Sequence, residues 1–211
     1  MAGAEVGGAE AFFVRLAIAF ANINLEQRVI IRRDSVSARA LRNGGVEPLE
    51  LPFGGRMDFR TRPALQREIE RYKPDIILSW MSRASWATPK SERPGGYKLI
   101  ARLGGYYDLK YYRHCDYLIG NTQEIVEHIA EQGFDRDRIV YLPNFVHAPT
   151  RPAISRIGFD TPLDAPLLLA MGRLHENKAF DVLLRALAKL PDAWLWIAGE
   201  GPEAASLSKL A

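Results

Sequence analysis

Cysteine, histidine and long apolar runs are scarce in this chain of 211 residues, and each scarcity excludes a class of protein. Cys115 is the single cysteine, so an intrachain disulfide is excluded. Cysteine and the four histidines form no cluster with metal-ligand spacing, so no metal site is expected. No apolar run is long enough to cross a bilayer, and the amino terminus lacks the ordered regions of a secretory signal. We therefore expect a protein of the reducing cytoplasm.

The chain does have the composition of a folded protein, with an uneven distribution of charge. Apolar residues make up 47% and charged residues 25%, which is typical of a globular domain and not of a disordered one. Residues 1–120 contain 19 lysines and arginines against 13 acidic residues, and residues 121–211 contain 9 against 12. The basic first part suits an anionic partner, which is a membrane surface, a phosphorylated acceptor or nucleic acid. A solvated, arginine-rich surface explains it equally well.

Strands alternate with helices along the chain. Apolar runs bounded by turn residues predict strands at Arg28–Ile31, Val46–Leu51, Ile76–Trp80, Tyr97–Leu103, Asp116–Thr122, Arg138–Leu142, Pro166–Met171 and Ala193–Ala198. Helical spacing predicts helices from Ala9 onward and at Val36–Asn43, Pro63–Tyr72, Gln123–Gln132 and Phe180–Leu190. This alternation predicts an α/β fold with a doubly wound parallel sheet. The strand at Ile76–Trp80 is predicted to be buried.

Prolines divide the chain into two parts. Those at positions 149, 152, 162 and 166 mark a linker, so we predict a first domain over residues 1–147, a linker over 148–164 and a second domain over 165–211. The second part has about 45 residues, fewer than usually support an independent core.

A strand, a loop and an amphipathic helix are predicted over Ala165–Leu190. The continuous apolar run before Gly172 predicts a strand that is buried on both faces. Arg173 and Lys178 lie in the loop that follows, where βαβ units bind their ligands at the carboxyl ends of strands. A helix amino terminus and two cations favour an anion, so we expect a phosphate or diphosphate here.

This segment also resembles a known family. GRLHENKAFDVLLRAL, followed by WIAGEGPE, is similar to the donor-binding segment of family-4 glycosyltransferases, which have the GT-B fold. The resemblance implies that Arg173 and Lys178 hold the diphosphate of a nucleotide-sugar donor. Other residues implied to line this site are Gly172, Gly199, Glu200 and Gly201.

The first part of the chain resembles the acceptor domain of the same family. Gly7, Gly8 and Glu10 match a G-G-x-E pattern whose glycines approach the donor or acceptor. LGGYYDLKYYRHCDYLIGNT, and then RIVYLPNFV, are similar to the end of that domain. This similarity implies site-lining roles for Asn121, Thr122 and Asn144.

The sequence departs from the family pattern at three places. Residues 1–6, MAGAEV, are too short and small-sided for the strand that precedes the glycines, so either the start is displaced or the chain is a fragment. Gly104 and Gly105 stand where many members have a histidine, and His114 is too far along to replace it. Phe145 follows the Pro-Asn pair, where the family more often has glycine.

Four tyrosines follow these glycines, and two interpretations of them stay open. They are able to stack on a sugar ring or to pack in the core, and packing is slightly favoured because tyrosine is normally half-buried. The four are Tyr106, Tyr107, Tyr111 and Tyr112.

The resemblance implies a GT-B protein with a doubly wound acceptor domain and the first βαβ of a Rossmann-like donor domain. It implies transfer of a sugar from a nucleotide-diphosphate sugar to a glycan or lipid-linked acceptor, with retention of configuration, in cell-envelope polysaccharide or lipopolysaccharide synthesis. No cofactor and no metal are expected, because the resemblance implies that enzymes of this family usually work without a bound metal. Nucleic acid is not an expected partner, and peripheral association with an anionic membrane, at the cytoplasmic face of the inner membrane, stays open.

Two other readings compete with an active enzyme. The family's E-x₇-E motif is not found within residues 1–211, so no catalytic residue is assigned. An inactive truncated remnant, or an interaction module, is the main alternative. A dinucleotide-binding Rossmann domain is a weaker one, because no G-x-G-x-x-G follows a strand and Pro202 interrupts the turn after Gly201.

Overall fold

The computed structural model describes residues 1–4, 7–33, 35–55, 57–91, 93, 95–146, 152 and 154–211. The chain divides into two compact units, Met1–Val146 and His147–Ala211. The predicted linker over 148–164 lies partly outside the described residues, as does the predicted domain end at residue 147. Those bounds therefore stay predictions, and each unit is considered by itself.

The first unit alternates helices and strands. Its helices are α1 (Gly8–Asn22), α2 (Ser35–Asn43), α3 (Thr61–Tyr72), α4 (Met81–Ala87) and α5 (Gln123–Glu131). Its strands are β1 (Ile30–Arg32), β2 (Leu49–Leu51), β3 (Ile76–Trp80), β4 (Lys98–Leu103), β5 (Tyr117–Gly120) and β6 (Ile139–Tyr141). All six strands were predicted, most of them one to three residues longer, whereas α4 was not predicted. It begins directly after β3 at Met81, whose φ of 71° is rare for a residue with a side chain.

The strands of this unit pair in parallel, as the alternation predicted. One sheet contains β1 and β2, and the other has the order β3-β4-β5-β6. Helices connect successive parallel strands within these sheets, as in a doubly wound fold, whose ligands bind at the carboxyl ends of the strands.

The core of the first unit lies on both faces of these sheets. On β1, Ile31 packs with α1 and α2, while Ile30 packs with Leu65 of α3. Successive strand residues point to opposite faces, so α1 and α3 cover opposite faces of β1. A third cluster joins β4, β5 and α5 around Leu118 and Ile129. The helices thus cover both faces of β1, in agreement with the doubly wound sheet that the alternation of strands and helices predicted.

Met1 pairs with β1, although no strand is assigned before α1. The amino group of Met1 donates to the Ile30 carbonyl at 2.8 Å, and the Met1 carbonyl accepts from the Arg32 amide at 2.8 Å. Bonds to the two residues that flank Ile31 are the pattern of a parallel pair. Met1 and Ala2 are buried. The first residues therefore contribute a single strand-like pairing.

The second unit is one βαβ with a further helix. Its elements are β7 (Leu167–Met171), α6 (Phe180–Leu187), β8 (Trp194–Ala198) and α7 (Ala204–Leu210). The two strands are parallel over their whole length. Leu174, Phe180 and Leu207 form a small buried cluster beneath the helices. On the other face, the Trp196 indole lies 4.6 Å from the Phe159 ring and donates to Thr161 Oγ1 at 3.0 Å.

Three expectations for these elements were wrong. β7 is not buried on both faces: Leu169 is 61% exposed and Met171 is 74% exposed. The reason is that β7 has only one neighbouring strand in the described unit and little cover on that face. α6 ends at Leu187 and not at Leu190, which precedes Pro191 and is therefore disfavoured in helical conformation. β3 was predicted to be buried, yet Ile76 is 60% exposed at the free edge of the sheet.

Candidate functional site

The predicted diphosphate loop joins β7 to α6. Arg173 follows Gly172 at the carboxyl end of β7, and its side chain is exposed. Lys178, also exposed, ends a 3-10 turn over Glu176–Lys178 and stands two residues before the first residue of α6. Between them and the helix, Ala179 adopts the left-handed conformation with φ 51°. This is costly for a residue with a side chain, so the surrounding contacts must hold the turn in place.

Backbone hydrogen bonds fix this loop against the one that follows β8. The Gly172 amide donates to the Ala198 carbonyl at 3.0 Å, and the Leu174 amide donates to the Glu200 carbonyl at 2.8 Å. The Leu174 carbonyl accepts in turn from the Glu203 amide at 3.1 Å. The residues before and after Arg173 are thus both fixed by backbone hydrogen bonds.

Gly199 and Gly201 allow this close approach. A Cβ on Gly199 would lie 1.8 Å from the Gly172 carbonyl oxygen, and one on Gly201 would lie 2.1 Å from the Leu174 oxygen. Backbone atoms cannot yield as a flexible side chain can, so any larger residue would push the two loops apart. The geometry therefore brings Gly172, Arg173 and the predicted Gly199–Gly201 together at one edge of the two-stranded sheet.

The two cations of this loop have no partner in the described part of the chain. Neither the Arg173 nor the Lys178 side chain forms an ion pair or hydrogen bond there. The nearby acid Asp181, in the first turn of α6, accepts instead from Arg185 at 2.9 Å. Both cations are therefore available to an anionic ligand.

The predicted loop at the start of α1 is held by Glu10. This side chain is 7% exposed, and its Oε1 accepts from the Ala4 amide at 2.9 Å. A Cβ on Gly7 would lie 2.3 Å from Glu10 Oε2, so the missing side chain makes room for the carboxylate. A Cβ on Gly8 would meet no atom of the described residues within 4 Å. Glu10 thus shapes the loop, and Gly8 leaves room for a ligand.

The remaining predicted residues follow β5 and β6 at the carboxyl edge of the four-stranded sheet. Thr122 caps α5, its Oγ1 accepting from the Ile125 amide at 3.3 Å. Asn121 Oδ1 is buried and lacks a hydrogen-bond partner among the described residues. Asn144 Oδ1 accepts from the Arg102 guanidinium. Thr122 therefore has a structural role, while Asn121 keeps an unused acceptor.

Arg102, at the end of β4, was not predicted as a site residue. It is 5% exposed and lies over the rings of Trp80 at 4.7 Å and Phe12 at 5.2 Å. Burial lowers its pKa, and no carboxylate pairs with it in the described residues. A Cβ on Gly104 would lie 3.1 Å from Arg102 Nη1, which explains a glycine at this position. The sequence signal that could have identified Arg102 is a charged residue inside the otherwise apolar strand sequence KLIARL.

The tyrosine cluster divides between core and surface. Tyr112 is fully buried, stacks on Tyr107 at 6.3 Å and hydrogen-bonds Ser82 at 2.9 Å, and burial raises its pKa to about 12. Tyr106 is 68% exposed and meets His128 edge-on. Tyr107 and Tyr111 pack against the core cluster that contains Tyr112, so packing accounts for these three, whereas Tyr106 is exposed.

Two further side chains have structural roles. His114 Nε2 lies 3.0 Å from the Ser85 carbonyl and 3.2 Å from that of Thr88, so it ties down the end of α4. Cys115 is fully buried, and burial raises the pKa of its thiol to about 12.

The part of the chain that the structure describes contains neither a metal-binding cluster nor a membrane-spanning helix. No group of three acidic, histidine or cysteine side chains is placed to hold an ion there. Among the same residues, no helix combines the length and the apolar character needed to traverse a bilayer. The expectation of metal-free chemistry stays a prediction.

Two solved glycosyltransferases share this arrangement of elements. A glycosyltransferase from Rickettsia africae ESF-5 superposes with a TM-score of 0.75 at 17% identity, over 100% of this chain and 62% of that one. HepE of Anabaena, solved in complex with UDP, gives 0.74 at 15% identity, over 99% and 63%. The parallel sheet of the first unit and the βαβ of the second therefore define an α/β protein of GT-B type.

The sequence comparisons then give the family. The profile described as Glycosyltransferase Family 4 matches residues 6–148. The lipopolysaccharide core biosynthesis glycosyltransferase LpsE of Rhizobium meliloti (strain 1021) is 38% identical over 213 residues, covering 97% of this chain and 60% of LpsE. The chain belongs to glycosyltransferase family 4, as its motifs predicted. It spans about three fifths of the length of this curated relative.

Proposed function

We propose that the chain belongs to a glycosyltransferase that moves a sugar from a nucleotide-diphosphate donor to an acceptor of lipopolysaccharide core synthesis. Membership of the family supports the reaction class, and the relative LpsE supports the pathway. The structure of HepE contains UDP, which supports a uridine diphosphate donor. Retention of anomeric configuration is proposed from the family resemblance.

The observation that carries this proposal is the pair of cations in the loop after β7, which form no ion pair or hydrogen bond with the described residues. Arg173 offers planar paired donors and Lys178 a compact charge, two complementary ways to hold a diphosphate. The hydrogen bonds of Gly172 and Leu174 to the β8 loop hold the backbone on both sides of Arg173 before a ligand arrives. Such prior organisation lowers the free-energy cost of binding.

The same cations are proposed to assist the chemistry. When the bond between the sugar and the diphosphate breaks, negative charge accumulates on the departing diphosphate. Fixed cations stabilise this charge more strongly in the transition state than in the ground state. No metal is required for this step, so we propose metal-free transfer. The catalytic carboxylates are not assigned among residues 1–211.

The first unit is proposed to contribute to the acceptor side. Among the described residues, no atom lies within 4 Å of a Cβ placed on Gly8 at the start of α1, and the buried Asn121 Oδ1 after β5 has no hydrogen-bond partner. Doubly wound folds bind ligands at the carboxyl ends of their parallel strands, where Asn121 lies. A glycan or lipid-linked acceptor fits this proposal, with peripheral association to an anionic cytoplasmic membrane surface supported by the basic first part of the chain.

Calorimetric titration with UDP tests the diphosphate assignment on this chain. We expect UDP to bind, and Arg173→Ala and Lys178→Ala each to weaken binding by at least about tenfold. Arg185→Ala is the matched control, because it also removes one exposed cation nearby, but one that Asp181 already neutralises. An equal loss of UDP affinity for Arg185→Ala would show that net charge alone causes the effect, which would contradict the assignment.

Turnover tests the catalytic part of the proposal. In a protein extended to the length of its relatives, Arg173→Ala and Lys178→Ala should each lower kcat by on the order of 10²-fold. Near wild-type turnover for both would refute the role. We expect no measurable transfer from the 211-residue chain alone.

An interaction module is the second candidate, and one observation favours it. Leu169 and Met171 expose an apolar face on β7 that a partner or further chain is suited to cover. If UDP, UDP-glucose and NAD all fail to bind, the result favours an interaction module over an enzyme. NAD binding alone would favour the dinucleotide-binding reading.

A further inference from the structure

Arg102 is a buried cation without a counter-charge. It lies near the carboxyl end of β4, where it packs over the rings of Trp80 and Phe12. Arginine is rarely buried unless it is paired, because removing a charge from water is costly, and its guanidinium stays protonated in proteins. None of the described acidic residues forms an ion pair with Arg102. The first unit thus contains a positive charge that its described residues do not neutralise.

The Arg102 guanidinium also retains unused donors. Its Nη2 donates to Asn144 Oδ1, whereas Nη1 and Nε form no hydrogen bond with the described residues. An arginine presents its donors in a planar fork that matches the oxygens of a carboxylate or a phosphate. Arg102 is therefore able to bind an anionic group.

The unused Nη1 atom lies beside an exposed glycine. A Cβ on Gly104 would lie 3.1 Å from Arg102 Nη1 and 3.8 Å from Asn121 Oδ1, so the absence of a side chain leaves room next to both groups. The amide N–H groups of Gly104 and Gly105 donate to none of the described residues. Successive unused N–H groups are able to bind an anion. The glycine pair therefore gives a ligand access to the guanidinium.

Asn121 adds an unused polar group at the same place. Its Oδ1 is buried and has no hydrogen-bond partner among the described residues. Buried amide groups are nearly always hydrogen-bonded in folded proteins, so an unpaired one indicates a place for a ligand. A half turn about the last side-chain bond exchanges this oxygen for the amide nitrogen, whose N–H groups donate to an anion. Arg102, Gly104 and Asn121 therefore converge at the carboxyl edge of β4 and β5.

We propose that this cluster binds one anionic group of the acceptor, a sugar carboxylate or a sugar phosphate, and that Arg102 selects for it. The inference rests on the proposed function, because it assigns the acceptor side to the first unit. A bound anion supplies the opposite charge that Arg102 lacks among the described residues. A neutral sugar leaves the guanidinium unpaired, so the difference in affinity between acidic and neutral acceptors arises at this residue.

NMR titrations of the isotope-labelled chain test the inference. The probes are glucuronate, glucose 6-phosphate and glucose, which share a sugar ring and differ in the anionic group. The readout is the amide signals of Gly104 and Gly105, which report on this cluster and not on the loop of Arg173. We expect an acidic sugar to shift these signals and glucose to leave them unchanged. The acidic sugar that binds more tightly identifies the anion as a carboxylate or a phosphate.

Two variants remove the free cation in different ways. Arg102→Met deletes the charge, whereas Asn144→Asp places a carboxylate against the guanidinium and occupies it. Each should weaken binding of the acidic sugar by at least about tenfold. Asn144→Asp should also raise Tm by at least about 2 °C, because the buried cation gains a partner of opposite charge. Loss of binding in this variant is then distinct from loss of folding.

Arg113→Met is the matched control for charge. Arg113 is an exposed arginine that donates to the Gln132 carbonyl at 3.4 Å, just after the end of α5, whereas Asn121 lies just before its start. Its removal should leave the affinity for the acidic sugar unchanged. An equal loss for Arg113→Met, an unchanged affinity for Asn144→Asp, or equal shifts with glucose would each overturn the inference.

A parallel titration with UDP separates this inference from the donor assignment. Arg102→Met should not change UDP affinity, because UDP is assigned to Arg173 and Lys178. If UDP binds and neither acidic sugar does, the inference about Arg102 fails alone. If an acidic sugar binds and UDP does not, the anion site is supported and the donor assignment fails.

Discussion

β4 in the first unit and β7 in the second have similar apolar sequences but very different surroundings. Leu99, Ala101 and Leu103 of β4 are fully buried, because strands flank β4 on both sides and helices pack on the sheet. Leu169 and Met171 of β7 are more than half exposed beside a single partner strand. An apolar run therefore predicts that a strand forms, whereas its burial depends on neighbours that the run does not specify.

The largest expected difference between the units is in proteolysis. We expect limited proteolysis to cut first within the predicted linker, residues 148–164, and to leave a resistant fragment close to Met1–Val146. The second unit, with its small cluster, should be degraded further. Mass spectrometry of the fragments checks this. First cleavage inside β7 would show that the second unit is not folded independently.

Stability of the first unit should depend on pH through Met1. Between pH 5 and 8 the unfolded chain holds the amine proton and the folded chain does not, because burial lowers the folded pKa to about 5. Stability should therefore rise as pH increases through this window and fall as pH decreases, by at most about 4 kcal/mol. Urea unfolding at several pH values measures it. Nα-acetylation should flatten the slope, and an unchanged slope would contradict the assignment.

Core truncation should affect the two regions unequally. Leu118→Ala removes a fully buried side chain between β4, β5 and α5 and should lower the free energy of unfolding by about 3 kcal/mol. Leu169→Ala should change it by less than about 0.5 kcal/mol. Chemical denaturation of both variants checks the contrast. A comparable loss for Leu169→Ala would mean that something covers that face in solution.

Glycine substitutions compare the two loops. Gly201→Ala places a Cβ against the Leu174 carbonyl, so we expect a loss of about 2 kcal/mol and weaker UDP binding as the Arg173 loop shifts. Gly8→Ala meets open space in the first turn of α1 and should be neutral or up to about 1 kcal/mol stabilising. Thermal unfolding and UDP titration measure both effects. Equal stability losses would refute the steric account.

The smallest effect concerns Asp181. Its carboxylate pairs with Arg185 at i+4 and lies in the first turn of α6, so Asp181→Ala should lower stability by a few tenths of a kcal/mol. UDP affinity should stay unchanged, since Asp181 contacts neither cation of the loop. Reduced UDP affinity at unchanged stability would place this residue in the site.

The sequence predicted those features that depend on neighbouring residues. All eight strands occur, and Arg173 and Lys178 lie on the expected loop between β7 and α6. Helix α4 was missed because it follows β3 without a loop and without a side-chain cap at Trp80. Helix α7 likewise begins without a side-chain cap at Glu203.

Features that depend on distant residues could not be predicted in this way. Arg102 lies against Phe12 and Trp80, and its hydrogen-bond partner Asn144 is 42 residues away along the chain. No spacing rule connects such positions. The apolar groove of about 630 Å³ that residues 25–30 and 73–80 line is similar, because it depends on how two sheets are arranged and not on either strand alone.

The reactivity of Cys115 can report on the opening of the first unit. As the single thiol of the chain, fully enclosed beside Leu118 and Ile129, it should not react with a thiol reagent until that unit opens. The rate of labelling at increasing denaturant then measures the opening free energy of this unit without an introduced dye. Opening of the second unit alone leaves the signal unchanged. A ligand that stabilises the first unit would therefore be detectable in a crude extract by slower labelling.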